Sequence, residues 1–184
     1  MSDKNFTAKW IAPENYTNLP VLKKTFIIDN SFKKAEIFIS GLGLFELHIN
    51  GTKAHDTYFE PGESVYEKMV FYSVFDVTDK LQQGENEITV YLGGGFYHNP
   101  PAKTDRLNRD PHIIGEYMLL CQLELDRKVE VISDDSWECA DSTVTESVWL
   151  GGETYDSRIE VTFDKKVKVI QKQTNNRTSD SLCD

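Results

Sequence analysis

Between Trp149 and Arg158 the sequence WLGGETYDSR places two aromatic rings, two carboxylates and a guanidinium within ten residues. Two kinds of chemistry suit that set. Paired carboxylates hydrolyse glycosides when they flank the scissile bond, about 5 Å apart for retention or about 6.5–9.5 Å apart for inversion. Planar charged groups and aromatic rings bind sugars instead, the first by bidentate hydrogen bonds to hydroxyls and the second by packing on C–H faces. Glu153 and Asp156 are the obvious carboxylate pair, but in an extended segment a separation of three residues sends them to opposite faces, and only a turn at 152–155 reunites them. Asp156 and Arg158, two apart, share a face, where they either pair as a surface ion pair of little energetic worth or grip a ligand. The segment therefore reads as a sugar clamp of Trp149, Glu153, Tyr155, Asp156 and Arg158 rather than a catalytic centre, with Trp149 and Tyr155 as core aromatics being the competing reading.

A second cluster, Phe96-Tyr97-His98, opens the segment GGGFYHNPPAKTDRLNRDPHIIGE, which has three prolines and two histidines and lacks any strand pattern. Loops of such length inside compact domains are functional or disordered. If the loops at one end of the fold converge, the two clusters form one carbohydrate site. His98, His112, Asp105 and Asp110 match no zinc spacing. Calcium, ligated by carboxylate and carbonyl oxygens, leaves a weaker sequence trace and stays open without assigned ligands. Gly93-Gly94-Gly95 follows a strand but does not open a helix, as a phosphate loop would.

The elements that must position these residues are strands. Residues 26–28, 35–40, 44–50, 69–75, 86–92, 117–125, 129–132 and 158–163 are short β-branched or aromatic runs bounded by Gly, Asn, Asp and Pro. In LFELHIN, Phe45, Leu47 and Ile49 alternate with Glu46, His48 and Asn50, the period of a strand with one buried face. Asn50-Gly51 supplies the positive φ values of a tight hairpin. The run YMLLCQLEL is apolar on both faces and reads as a strand between layers, with Cys121 as a small buried hydrophobe. In DVTDKL, Asp76 or Thr78 caps a single helical turn. Gly41-Leu42-Gly43 reads as a bulge or turn between two strands, and His48 and His55 as surface or rim residues. Many short strands with local turns predict an all-β fold, an antiparallel, jelly-roll-like β-sandwich over 1–170 with one long loop and a disordered tail over 171–184.

Composition narrows the partners. A formal net charge of −10 with interleaved lysines excludes the basic stripe that nucleic acid requires. No apolar run is long enough for a membrane-spanning helix. The opening MSDKNFTAKW lacks the apolar core of a signal peptide, so a cytoplasmic location is expected, and the sequons at Asn5, Asn15, Asn50 and Asn176 read as chance. Three scattered cysteines fit a reducing compartment.

Several segments occur in the order found in one family: KWI followed by Pro13, LKKTFII, AEIFISGLGLFELHINGTKAHD, the Pro-Gly at 61–62 followed by Tyr66, VFYSVFDVTDKLQQGENEITVYLGGGFY, DDSW at 134–137, and GGETYDSRIE. Over residues 8–160 the chain resembles the amino-terminal β-sandwich domain of bacterial α-L-rhamnosidases. In those enzymes the resemblance implies that the catalytic acids belong to a separate α/α-barrel domain, so no residue here inherits a catalytic role. After Glu160 the sequence departs from the family pattern. The expectation is a non-catalytic accessory module that binds a terminal, L-rhamnose-like residue of a neutral sugar or oligosaccharide, or that braces a glycosidase catalytic domain. A structural domain without sugar affinity and an active glycosidase are the alternatives.

Overall fold

The structure, a computed structural model, describes residues 4–15, 17–100, 112–148, 152–170 and 176–178. The chain is built from strands: β1 (Trp10–Pro13), β2 (Pro20–Ile28), β3 (Ala35–Leu42), β4 (Leu44–Ile49), β5 (Thr52–Lys53), β6 (Val70–Asp76), β7 (Gly84–Gly93), β8 (His98–Asn99), β9 (His112–Ile113), β10 (Met118–Leu125), β11 (Lys128–Ile132), β12 (Glu138–Asp141), β13 (Val144–Val148), β14 (Gly152–Tyr155), β15 (Lys165–Ile170) and β16 (Asn176–Thr178). One layer runs β6-β3-β10-β1, with β11 beside β10. The other runs β12-β2-β7-β4-β5, and β15 pairs β1 on one side and β12 on the other, joining the layers. This is the expected all-β sandwich.

Period-two alternation fills the space between the layers. Ile37 and Ile39 from β3 and Leu119, Cys121 and Leu123 from β10 meet Leu22, Leu47, Ile49, Ile88 and Val90 from the opposite layer in one core. Every residue of β10 is buried, as the run apolar on both faces predicts. Its other face, Met118 and Leu120, packs with Trp10, Ala12, Leu42, Val70 and Tyr97 in a second apolar cluster. Further along that face the chain buries polar groups and satisfies them. The Gln122 amide oxygen accepts hydrogen bonds from the Thr7 and Ala8 amides at 2.9 and 3.2 Å, and Glu124 receives Lys4 at 2.5 Å. Paired in this way, the buried polar atoms avoid the desolvation penalty of orphaned ones. The Cys121 thiol is fully buried, which pushes its pKa far up and leaves it unreactive.

The predicted turns at Asn50-Gly51 and Gly43 behave as their chemistry requires. Asn50 and Gly51 take φ of 51° and 74°, closing the β4–β5 hairpin with His48 opposite Lys53. Asp76 accepts the Thr78 amide at 3.0 Å and its hydroxyl at 2.6 Å beside the expected short turn, the 3₁₀ segment Thr78–Lys80, but the N-cap position falls on Val77, so neither Asp76 nor Thr78 is the cap. Gly43, with φ of 116°, takes the chain from β3 in one layer to β4 in the other. A Cβ there would meet the Tyr117 ring at 2.7 Å and the Gly93 carbonyl at 2.8 Å.

Three expectations need correction or limits. Residues 158–163 form no strand, because the Asp156 carboxylate accepts the Arg158 amide at 3.0 Å and bends the chain. Such a local hydrogen bond competes with a sheet ladder, and pairing resumes only at β15. The strand pairings are largely long-range rather than local, since β1 pairs β10 and β15, and β2 pairs β7 and β12. Of the expected disordered tail, 176–178 runs parallel to β6 from Val70 to Tyr72, and the rest lies outside the described residues.

Leu119 is fully buried, so Leu119→Ala should lower the unfolding free energy by about 2–5 kcal/mol. Ile27→Ala, at a site 61% exposed, should stay within about 0.5 kcal/mol. Denaturant titration measures both, and similar losses would contradict this assignment of the core.

Candidate functional site

The polar face of β4 is the starting point. Phe45, Leu47 and Ile49 enter the core opposite Leu92, Val90 and Ile88, so Leu44, Glu46 and His48 face outward beside Gly93, Tyr91 and Thr89 of β7. The β4–β5 turn sets Lys53 directly across from His48. Glu46 lies within reach of both. Its Oε1 meets His48 Nε2 at 2.7 Å and its Oε2 accepts Lys53 Nζ at 2.8 Å. The His48 ring packs against Tyr91 at 5.2 Å, and Lys53 Nζ lies 4.3 Å from the Tyr58 ring centroid. Burial works against ionisation of Glu46, but the hydrogen bonds from His48 and Lys53, with the charge of Lys53, outweigh it and hold the carboxyl below its ordinary value.

A wall rises over this face. The β13–β14 hairpin pairs Val144 with Tyr155 and Val148 with Gly152. It is tied down at its base by the Asp156 amide donating to the Thr143 carbonyl at 2.9 Å and by the Asn18 amide donating to Thr145 at 2.6 Å. At the end of β7 the hairpin touches the sheet so closely that a Cβ on Gly94 would stand 2.2 Å from the Ser147 carbonyl oxygen. Hairpin, sheet and the loop at 57–59 border a half-open cavity of about 520 Å³. Glu46, His48 and Tyr91 line its sheet side, Ser147 and Glu153 the hairpin side, and Tyr58 and Phe59 the opposite side. Leu19, Leu44, Val144 and Val148 give it apolar surface. A volume of that size, mostly apolar with a few fixed polar groups, is typical of small-ligand sites.

Among the described residues of the two expected sugar-binding clusters, Glu153 alone lines this cavity. Asp156 and Arg158 point elsewhere and pair with each other through two hydrogen bonds of 2.8 and 2.6 Å. The Arg158 side chain is 87% exposed, so the pair has the geometry of the surface ion pair, and the guanidinium beside Asp156 holds that carboxyl below its ordinary value. Tyr155 is exposed and does not line the cavity. Tyr97 is buried against Tyr66 in the second apolar cluster, with no open ring face for a sugar. Phe96 is half-buried and lines neither this cavity nor a smaller one of about 230 Å³. His98 lines that smaller cavity, its Nδ1 2.8 Å from the Gly115 carbonyl oxygen and its ring against Tyr117. The two clusters thus do not converge through these side chains. Trp149, Asp105 and Asp110 lie outside the described residues, and among the described residues no three His, Cys, Asp or Glu side chains gather as a metal site.

Sequence reasoning passed over Glu46, His48, Lys53, Tyr58 and Tyr91. The signal for three of them was present: alternation put Glu46 and His48 on the outer face of β4, and Asn50-Gly51 fixed Lys53 opposite. Nothing local indicated that a hairpin some ninety residues later would roof that face.

The fold is that of a β-sandwich, shared with a Pleurotus ostreatus lectin solved with GalNAc at a TM-score of 0.55 and 12% identity, a likeness of fold alone. Residues 30–180 match the α-L-rhamnosidase N-terminal domain, so the match runs past Glu160, the point of the expected departure from the family pattern, and the chain belongs to that family. An α-L-rhamnosidase of Formosa agariphila is 30% identical over 140 residues, which cover 73% of this chain and 15% of that protein. A second from the same organism is 28% identical over 178 residues, covering 88% of this chain and 19% of its own length. Among solved structures, the native α-L-rhamnosidase of Aspergillus terreus superposes with a TM-score of 0.82 at 28% identity, covering 94% of this chain and 22% of that one. The Streptomyces avermitilis α-L-rhamnosidase complexed with L-rhamnose gives 0.72 at 28% identity, over 86% of this chain and 16% of that one. The chain therefore spans less than a quarter of the length of these relatives.

Because the folded pKa of Glu46 is depressed, its ion pairs stabilise the fold fully above the unfolded carboxylate value, about 4.3, and that contribution is lost as pH falls through the lower folded value. The unfolding free energies of the wild type and Glu46→Gln should therefore converge as pH drops below about 4.3 in denaturant titrations at successive pH values. A gap between them that is constant from neutral pH to pH 3 would contradict the ion pair.

Proposed function

We propose that this chain is a non-catalytic accessory module that takes the terminal, L-rhamnose-like residue of a neutral glycan into the cavity beneath the β13–β14 hairpin, alongside a glycosidase catalytic domain. The observation that carries this reading is the Glu46 carboxylate, oriented by His48 on one oxygen and Lys53 on the other at the wall of this half-open cavity. A carboxylate retains acceptor capacity beyond those two bonds, enough to receive sugar hydroxyls. Tyr91 offers ring surface to C–H faces. Leu19, Leu44 and Val148 suit the methyl group that distinguishes a 6-deoxy sugar from its hydroxylated counterpart. The reading gains support from the family and from a relative solved with L-rhamnose.

Catalysis by this cavity is disfavoured on physical grounds. A general acid for glycoside cleavage needs a raised pKa, and the partners of Glu46 lower its own. A bracing role is the second reading, favoured by Ile113 and Ile114, which stand 58% and 57% exposed at the end of the long loop.

Calorimetric titration with L-rhamnose tests the proposal. Glu46→Ala should weaken binding by about tenfold or more, the worth of one charge-assisted hydrogen bond. Asp156→Ala should leave affinity unchanged, and neither protein should release sugar from an aryl rhamnoside. Equal affinity in Glu46→Ala, or loss of binding in Asp156→Ala, would refute the site, and absence of any heat at millimolar sugar would favour bracing.

A further inference from the structure

We infer that the cavity continues outward into a second sugar subsite on Tyr58 and Phe59, so that its ligand is a neutral oligosaccharide of at least two units. This rests on the sugar-binding reading above and extends it. The hydrogen-bonding groups are gathered on the sheet side, where Glu46, His48 and Lys53 are bonded together. Tyr58 and Phe59 line the same cavity yet are 75% and 62% exposed, which places them at its mouth. A sugar seated on Glu46 fills the inner part, and its neighbour in the chain emerges past these two rings.

The rim is held in place. Lys53, fixed at 2.8 Å to Glu46, sits over one face of the Tyr58 ring and leaves the highly exposed remainder open. The first subsite and the aromatic platform are therefore linked by a single lysine. Beside it, Phe59 adopts φ of 62°, a conformation that is costly for a bulky side chain. The following residue is anchored: the Phe45 amide donates to the Glu60 carbonyl at 2.7 Å, and the Ser73 hydroxyl bonds the Glu60 carboxylate. The Phe59 ring is thus carried to the cavity mouth beside an anchored residue, where it stays largely exposed.

Charge selects the class of glycan. Lys53 is matched by Glu46, and Glu153 faces the cavity from the hairpin, so the lining has no surplus of positive charge for a carboxylated or sulfated unit. Neutral units, with hydroxyls for the sheet side and C–H faces for the rim, fit both parts.

The test compares calorimetric titrations of L-rhamnose and of a neutral disaccharide ending in α-L-rhamnose, against the wild type and Tyr58→Ala. The disaccharide should bind about three- to tenfold more tightly than the monosaccharide to the wild type, and Tyr58→Ala should abolish that gain while leaving monosaccharide affinity and melting temperature unchanged. A disaccharide that binds no more tightly than L-rhamnose, or a gain that survives Tyr58→Ala, overturns the second subsite and leaves the first intact. Failure of both sugars to bind the wild type overturns the sugar-binding reading itself.

Discussion

Burial of Phe45, Leu47 and Ile49 against β7 is the constraint from which the site follows. Once those three side chains enter the sandwich core, a strand of period two has no freedom left over where Glu46 and His48 go. The same register brings Tyr91 beside Glu46, and the left-handed residues Asn50 and Gly51 reverse the chain so that Lys53 faces His48. The charged cluster is thus fixed by apolar packing on the far side of the strand. A slip of one residue would bury a carboxylate and an imidazole and expose three large hydrophobic side chains, which the core does not permit.

The second requirement is a roof. Among the described residues the β13–β14 hairpin pairs with itself, outside the two main layers, and is held at its base by hydrogen bonds from Asp156 and Asn18. Its approach to the sheet depends on Gly94, where any side chain would collide with the Ser147 carbonyl. Close contact at that point and separation further along produce a half-open pocket rather than a packed interface. Asp156 and Arg158, which look like ligand-binding groups in the sequence, are used in the turn that leaves the hairpin, and this is why they are turned away from the cavity.

Much of the fold was legible in the sequence because the physics was local. The alternation in β4, the two-sided burial of β10 and the Asn50-Gly51 turn each follow from residues within a few positions of one another. The layer order was not legible. The pairings of β1 with β15 and of β2 with β12 join segments more than a hundred residues apart, and no local pattern specifies them. The site suffered from the same blindness. Glu153 was found because it sits in a dense run of functional groups, whereas Glu46 and His48 look like the ordinary solvated face of a strand until the hairpin is placed above them. Tyr97 misled in the opposite direction: an aromatic at a glycine-rich loop suggests a ligand platform, but the exposed apolar face of β10 needed covering, and Tyr97 contributes to that cover.

The most direct test of the account is to map backbone amide shifts of the isotope-labelled protein during titration with L-rhamnose. The account predicts saturable shifts in stretches far apart in sequence, 44–53 on the sheet and 147–148 with 152–153 on the hairpin, together with 91–94 of β7. Shifts confined to 96–98 and 155–158, with the sheet residues unmoved, would contradict it and return the site to the surface that the sequence first suggested.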